Sequence, residues 1–248
     1  MKKFLPFAAA CALACIAFAG CGKKEESTAE TSGQQTEAVK KETVLTNAVI
    51  LDGSYWNLNA EGKMDWALYA VPGTTVQVYG TKADDGSTEF EFAKDVVRTS
   101  DGGKRNFYRV FHPDAEESWW VQEYALAINA SAQTVIEDDV SVYRTPDLAA
   151  TSTRHLSEGT IVAVFNESPD TAHYEYANLF AHIQLYDQTD GTVTGYVKAS
   201  KLSDSSTRLL CSQLKAKIIQ LREQNADEAV IAELEKSLEE QDSRWSDK

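Results

Sequence analysis

The sequence predicts a mainly β protein, with two small β modules in tandem closed by a C-terminal α-helical hairpin. Three observations predict it. Between Val44 and Ser203, short apolar runs are broken by turn-forming Gly, Pro, Asp and Asn. Within those runs apolar and polar residues alternate with period two, so that Val76 and Val78 share one face while Thr75, Gln77 and Tyr79 share the other. After Ser203 the apolar spacing changes to three and four, the period of an amphipathic helix. The 248 residues are 43% hydrophobic and 25% charged, which suits one or two globular domains. Acidic residues outnumber basic ones 38 to 24, a net charge of −14 that repels phosphate backbones, so nucleic acid is not an expected partner.

Residues 1–20 read as an address. Lys2 and Lys3 precede an apolar run of 15 residues, Phe4–Phe18, too short to span a bilayer and suited to a signal peptide. Ala19-Gly20-Cys21 follows, and the chain turns polar at once with Gly22-Lys23-Lys24-Glu25-Glu26. This segment resembles a bacterial lipoprotein signal peptide. Ala19, Gly20 and Cys21 match the lipobox, while Phe18 stands where the family usually has an aliphatic residue. Cys15, after Ala12-Leu13-Ala14, is the competing site, and an ordinary secretory signal is the alternative. The resemblance implies a diacylglycerol thioether and an amide-linked acyl chain on Cys21. Each buried methylene of such chains is worth ~0.8 kcal/mol, and two or more chains give stable anchoring. The mature chain would run from Cys21 to Lys248 with 22 basic and 38 acidic residues, a charge of −16. Its body would lie in the periplasm or at the surface, lipid-anchored in the cell envelope, with inner and outer membrane both open.

Residues 21–43 contain no aromatic residue and are rich in Lys, Glu, Ser, Thr and Gln, the composition of a flexible tether. Residues 44–130 form the first β module. Its strands are expected at Asn47–Ile50, Trp66–Ala70, Thr75–Tyr79, Glu89–Phe92, Asn106–His112 and Ser118–Gln122. Residues 131–203 form the second, with strands at Val140–Tyr143, Thr160–Phe165, Ala181–Tyr186 and Val193–Lys198, and a hairpin signal at Asp190-Gly191. Two landmarks recur in the same order. Pro72-Gly73-Thr74-Thr75-Val76 answers to Glu158-Gly159-Thr160-Ile161-Val162, and Trp119-Trp120-Val121-Gln122 to Gly195-Tyr196-Val197-Lys198. The repeat is weak, and the middle of the first stretch is longer.

The second stretch resembles a bacterial SH3-like domain. Ser141-Val142-Tyr143-Arg144-Thr145-Pro146 loosely matches its opening strand. Leu156-Ser157-Glu158-Gly159-Thr160-Ile161-Val162-Ala163-Val164 matches its L-x-x-G-T-x-V-x-V segment. Gly195-Tyr196-Val197-Lys198-Ala199-Ser200-Lys201-Leu202 matches its closing segment. The first stretch is a divergent copy, with Trp119 where the closing Gly would stand. The resemblance implies two small SH3-like β-barrels. Gly159 would supply a turn conformation and Gly195 a sharp strand bend.

Residues 204–248 are expected to form the helical hairpin. Ser203-Asp204-Ser205-Ser206 is an N-cap cluster, and Leu210, Leu214, Ile218 and Leu221 form an apolar stripe. Asn225-Ala226-Asp227 offers a stop and a second N-cap before Val230, Ile231, Leu234 and Leu238, though one long helix is the alternative.

No catalytic motif, metal-ligand spacing or cofactor signature stands out, and no cofactor or metal is expected. His112, His155, His173 and His182 lack ligand spacing, and Cys211 sits at the edge of a helical stripe as a structural thiol. Aromatic residues are the remaining candidates. Adjacent residues in a strand point opposite ways, so one of Trp119 and Trp120 is expected in the core and the other exposed. Trp119, Trp120 and Tyr196 are the candidate binding residues, as exposed aromatics often anchor interfaces. The expected function is a non-enzymatic, membrane-anchored binding or adaptor module for an envelope protein or peptidoglycan fragment. One alternative is a ligand-capturing lipoprotein with a pocket between the two modules. Another is an envelope enzyme with an unrecognised site.

Overall fold

The computed structural model describes residues 42–246, with side chains to Ser243. The expected signal peptide, Cys21 and nearly all of the expected tether therefore lie outside the described residues. The described residues fall within one compact unit. Its strands are β1 (Thr43–Ile50), β2 (Ser54–Leu58), β3 (Met64–Tyr69), β4 (Thr74–Lys82), β5 (Thr88–Phe90), β6 (Phe92–Val97), β7 (Lys104–His112), β8 (Glu117–Gln122), β9 (Leu126–Ile128), β10 (Ala130–Val135), β11 (Val140–Tyr143), β12 (Ser152–Leu156), β13 (Ile161–Phe165), β14 (Phe180–Asp187), β15 (Gly191–Lys198) and β16 (Leu202–Ser203). Two helices follow, α1 (Ser206–Glu223) and α2 (Glu228–Ser246). The protein is thus mainly β with a C-terminal two-helix part.

The strands form two sheets with the same connectivity. The first runs β3-β2-β8-β7-β4-β1-β9, and the second β12-β11-β15-β14-β13-β10-β16. The first carries one insertion, β5 on β4 and β6 on β7. The match extends to single hydrogen bonds. Gly73 N–H donates to Ile50 C=O at 2.7 Å, and Gly159 N–H to Val135 C=O at 2.8 Å. Thr74 and Thr160 hydroxyls each close the turn onto the carbonyl three residues back, Val71 and Ser157, at 2.7 Å. Both glycines hold φ +80°, a left-handed conformation that glycine adopts without steric cost. At the far end, a 3-10 turn (Glu123–Ala125 and Ala199–Lys201) follows β8 and β15. Leu51 N–H then donates to Ala125 C=O, and Ile136 N–H to Lys201 C=O.

Several strands went unforeseen in the sequence. β12 is a polar edge strand, and the short β9 and β16 become strands only by pairing with β1 and β10. β2 and β10 were also missed. The single strand expected at Glu89–Phe92 is two, split at Glu91, where the chain passes from β4 to β7. Gly195 lies outside the left-handed region, so turn geometry is not its requirement. A Cβ there would fall 2.6 Å from Val142 Cγ1 and 2.9 Å from the Tyr143 carbonyl oxygen, so its role is close approach of β15 to β11.

Apolar side chains alternate inward as the period predicts. Ala48, Ile50, Val76, Val78, Val110 and Val121 build the first core, and Val135, Val142, Val162, Ile183 and Val197 the second. A third cluster joins the sheets, with Val49, Leu51 and Ala127 packed against Ala130 and Ala163. The halves are continuous through Asn129, whose φ of +57° turns β9 into β10. Each half thus has its own core and a share in a common one.

The helices pair antiparallel, with Arg222 on Glu235 and Lys215 3.8 Å from Asp242. Ser205 caps α1 by accepting from Arg208 N–H. Asn225, at φ +51°, ends it, and Asp227 opens α2 by accepting from Ala229 N–H at 2.9 Å. α1 packs on β10 and β13 and, on another face, on α2, where Ile218 and Ile231 are buried. Among the described residues no helix is long and apolar enough to cross a membrane.

Candidate binding faces

Aligned register places four residues of each sheet in one row across adjacent strands. In the first half the row is Tyr79 (β4), Arg109 (β7), Trp120 (β8) and Trp56 (β2). Arg109 is opposite Trp120, and Trp120 opposite Trp56. In the second half it is Phe165 (β13), His182 (β14), Tyr196 (β15) and Tyr143 (β11), with His182 opposite Tyr196 and Tyr196 opposite Tyr143. Directly opposed residues point to the same face of a sheet. Both rows therefore read aromatic, nitrogen base, aromatic, aromatic.

Their internal contacts match as well. The Arg109 guanidinium lies 4.7 Å from the Tyr79 ring centre, and an Arg109 nitrogen 3.2 Å from Glu91. The His182 ring lies 4.8 Å from Phe165 and stacks on Tyr196 at 4.7 Å with 18° between planes, while Nδ1 is 2.6 Å from Glu167 Oε1. Trp56 meets Phe107 edge-on at 5.9 Å, and Tyr143 meets Phe180 edge-on at 5.6 Å. In each row an acid holds the nitrogen base beside an aromatic neighbour.

The rows differ in what covers them. In the first half Ala93 and Val96 of the inserted β6 pack with Met64 and Phe107 at the Trp56 end of the row, so that Trp56 is 4% exposed, while Tyr79, Arg109 and Trp120 stay half-buried. The second half has no such insertion. Phe165, His182, Tyr196 and Tyr143 all stay half-buried, and the 166–179 connection borders the row with the exposed side chains of Glu167, Asp170, Glu175 and Tyr176. Burial, and then the charge of Glu167, raises the Tyr196 phenol above its ordinary pKa.

The candidate residues named from sequence separate on this frame. Trp120 and Tyr196 occupy equivalent positions in different sheets and form no common site. Trp119 faces the other side, occupying the position of Gly195, and its ring packs 4.8 Å from Tyr55 beside the first core. The expected split of one buried and one exposed Trp does not occur. Both are half-buried, each against a different cluster, because both faces of β8 are covered. Among the described residues the exposed tryptophan is Trp66, on edge strand β3. Sequence reasoning missed Phe165, His182, Glu167, Tyr79 and Arg109. The usable signal was strand alternation, which sets Phe180 and His182 on one face of β14.

Two concavities lie elsewhere. A groove of about 510 Å3 is walled by the turn at Asp52–Ser54, the turn at Tyr69–Pro72, Gln188 at the tip of the β14–β15 hairpin, and one face of α1. A smaller one of about 270 Å3 lies beside Cys211 and Asp242. Burial and the Asp242 carboxylate push the Cys211 thiol up to about 11, so it is not a thiolate at neutral pH. Among the described residues no group of three or more His, Cys, Asp or Glu side chains is placed to hold a metal ion.

No family model and no curated protein matches the chain. Among solved structures it is similar to NlpC2 from Trichomonas vaginalis, at 15% identity and a TM-score of 0.24, over 69% of this chain and 56% of that one. It is also similar to NlpC1 from Trichomonas vaginalis, at 10% identity and a TM-score of 0.24, over 75% of this chain and 58% of that one. The chain thus spans little more than half the length of either, and likenesses at this score carry no argument about fold or function.

Proposed function

We propose that the chain is a non-catalytic binding protein of the bacterial cell envelope, anchored through a lipidated Cys21 and built from two SH3-like β repeats. The uncovered row of the second repeat is its binding face. The single observation that carries this reading is that Phe165, His182, Tyr196 and Tyr143 all lie half-buried in one row, whereas at the position of Tyr143 the first repeat closes Trp56 into a core. A continuous aromatic strip with acids at its border supplies contact area at low entropy cost and selects partners with complementary charge. The matched strand orders and turn hydrogen bonds support the reading of a duplicated module. The partner is an envelope protein or a peptidoglycan fragment.

The test is capture from detergent-solubilised envelope by the full chain and by two variants. Tyr196→Ala and His182→Ala should each lose the captured partner while retaining the melting temperature within a few degrees. Capture undiminished in both variants would remove the second-repeat face from consideration. A second reading, capture of a small ligand between the halves, is favoured by the groove of about 510 Å3, within the size range of ligand sites.

A further inference from the structure

The groove between the two halves and α1 has the Asp52 carboxylate on one wall, Glu223 on the helix wall, and exposed apolar side chains on both. Asp52, on the turn after β1, is half-buried. Among the described residues its carboxylate makes no ion pair and no side-chain hydrogen bond, and the Gly53 backbone N–H is its one partner. Burial raises its pKa, the mark of a charge lacking compensation. Ser54 and Ala70 are buried beneath it. Tyr69 stands 43% exposed on the same side, and Ile219 of α1 57% exposed on the opposite wall. Ile219 lies off the residues that α1 buries, Cys211, Ser212 and Ile218. Lys217, also on the helix wall, is turned to Gln220 Oε1 at 2.9 Å and forms no ion pair with Asp52.

We infer that this groove is a binding site for an alkyl ammonium or guanidinium group, with Asp52 as its counter-ion and Tyr69 and Ile219 flanking its stem. A cation within a few ångström restores what burial costs the carboxylate. The Tyr69 ring, packed 5.1 Å from Trp66, and Ile219 would cover methylenes that water would otherwise surround. The cation comes either from a free amine or from a Lys or Arg side chain of a bound peptide. The site shares no residue with the uncovered row of the second repeat, so it stands or falls separately from it.

Titration calorimetry on the full chain in detergent micelles tests this with two probes, cadaverine and Nα-acetyl-lysine methylamide, with pentanol as the uncharged control. The expected result is one-to-one binding of at least one amine and none of pentanol. Binding of cadaverine alone identifies a free amine as the source, and binding of the blocked lysine identifies a side chain. Asp52→Asn should weaken binding at least about tenfold, equivalent to ~1.4 kcal/mol. Ile219→Lys, at an exposed position that leaves the fold intact, should weaken it similarly by placing a competing cation in the groove. Tyr196→Ala should leave it unchanged. Absence of heat with both amines at millimolar concentration, or affinity unaltered by Asp52→Asn and Ile219→Lys, would overturn the assignment.

Discussion

One position of a shared row is core in one half of the molecule and half-exposed in the other. Trp56, at 4% exposed, and Tyr143, half-buried, hold equivalent positions, meet equivalent phenylalanines edge-on, and pair with equivalent partners on the neighbouring strand. The difference comes from outside the row, from the inserted β6, which pairs with β7 and packs Ala93 and Val96 into the cluster of Trp56. Position within a sheet therefore decides which residues can meet, and the next segment of chain decides whether they become packing or a recognition surface. The first half adds packed area through the inserted strands, while the second keeps its aromatic strip accessible.

The sharpest way to break this comparison is truncation at the equivalent pair. Trp56→Ala removes a large side chain from a closed cluster and should cost about 3–5 kcal/mol, read as a lower urea midpoint. Tyr143→Ala removes a half-exposed ring and should cost about 1 kcal/mol. Equal losses would mean that the second row is packed as tightly as the first.

A second comparison turns on Trp119 and Gly195, which share a position. Gly195→Ala drives a Cβ into Val142 and the Tyr143 carbonyl and should cost about 1–3 kcal/mol, because backbone must move. Trp119→Gly should destabilise by a different route, through loss of the Tyr55 stack and the cavity left behind. Thermal unfolding of both variants checks this. A neutral Gly195→Ala would show that β15 and β11 are further apart than described.

The smallest effect concerns pH. The Cys211 thiol is raised to about 11 in the folded chain, above its unfolded value near 8.5, so the fold favours the protonated form. That contribution is complete below the unfolded value and is lost as pH rises towards the folded one. Stability should therefore fall slightly between about pH 9 and pH 11, and Cys211→Ala should flatten the slope. Iodoacetamide at pH 8 should label the folded chain slowly; rapid labelling would contradict a buried, protonated thiol.

Much of the frame was legible in the sequence. Val140–Tyr143 was read at its observed bounds, because short alternating runs with turn residues on each side leave little choice. The turns at Gly73 and Gly159, and the segments from Trp119 and Gly195, marked the duplicated connectivity, since local sequence sets backbone conformation there. The hairpin of helices was legible through Ser205, Asn225 and Asp227. Edge strands such as Ser152–Leu156 were not, because pairing with β11 makes them strands and their own residues are polar. The row itself was hidden for a related reason. Phe165, His182, Tyr196 and Tyr143 come from four strands, and only register brings them together. Tyr196 stands in the row and Trp119 on the opposite face of its sheet, a difference the sequence does not tell because neither face of β8 is marked as the open one.

The measurement that tests the central contrast most directly is photo-crosslinking at the two equivalent positions. A benzoylphenylalanine replaces Tyr196 in one sample and Trp120 in another, each in the full chain within intact cells that express it. The account predicts a discrete adduct from position 196 and none from position 120, which packs against the closed cluster of Trp56. Adducts from position 120 alone, or the same adduct from both, would contradict it.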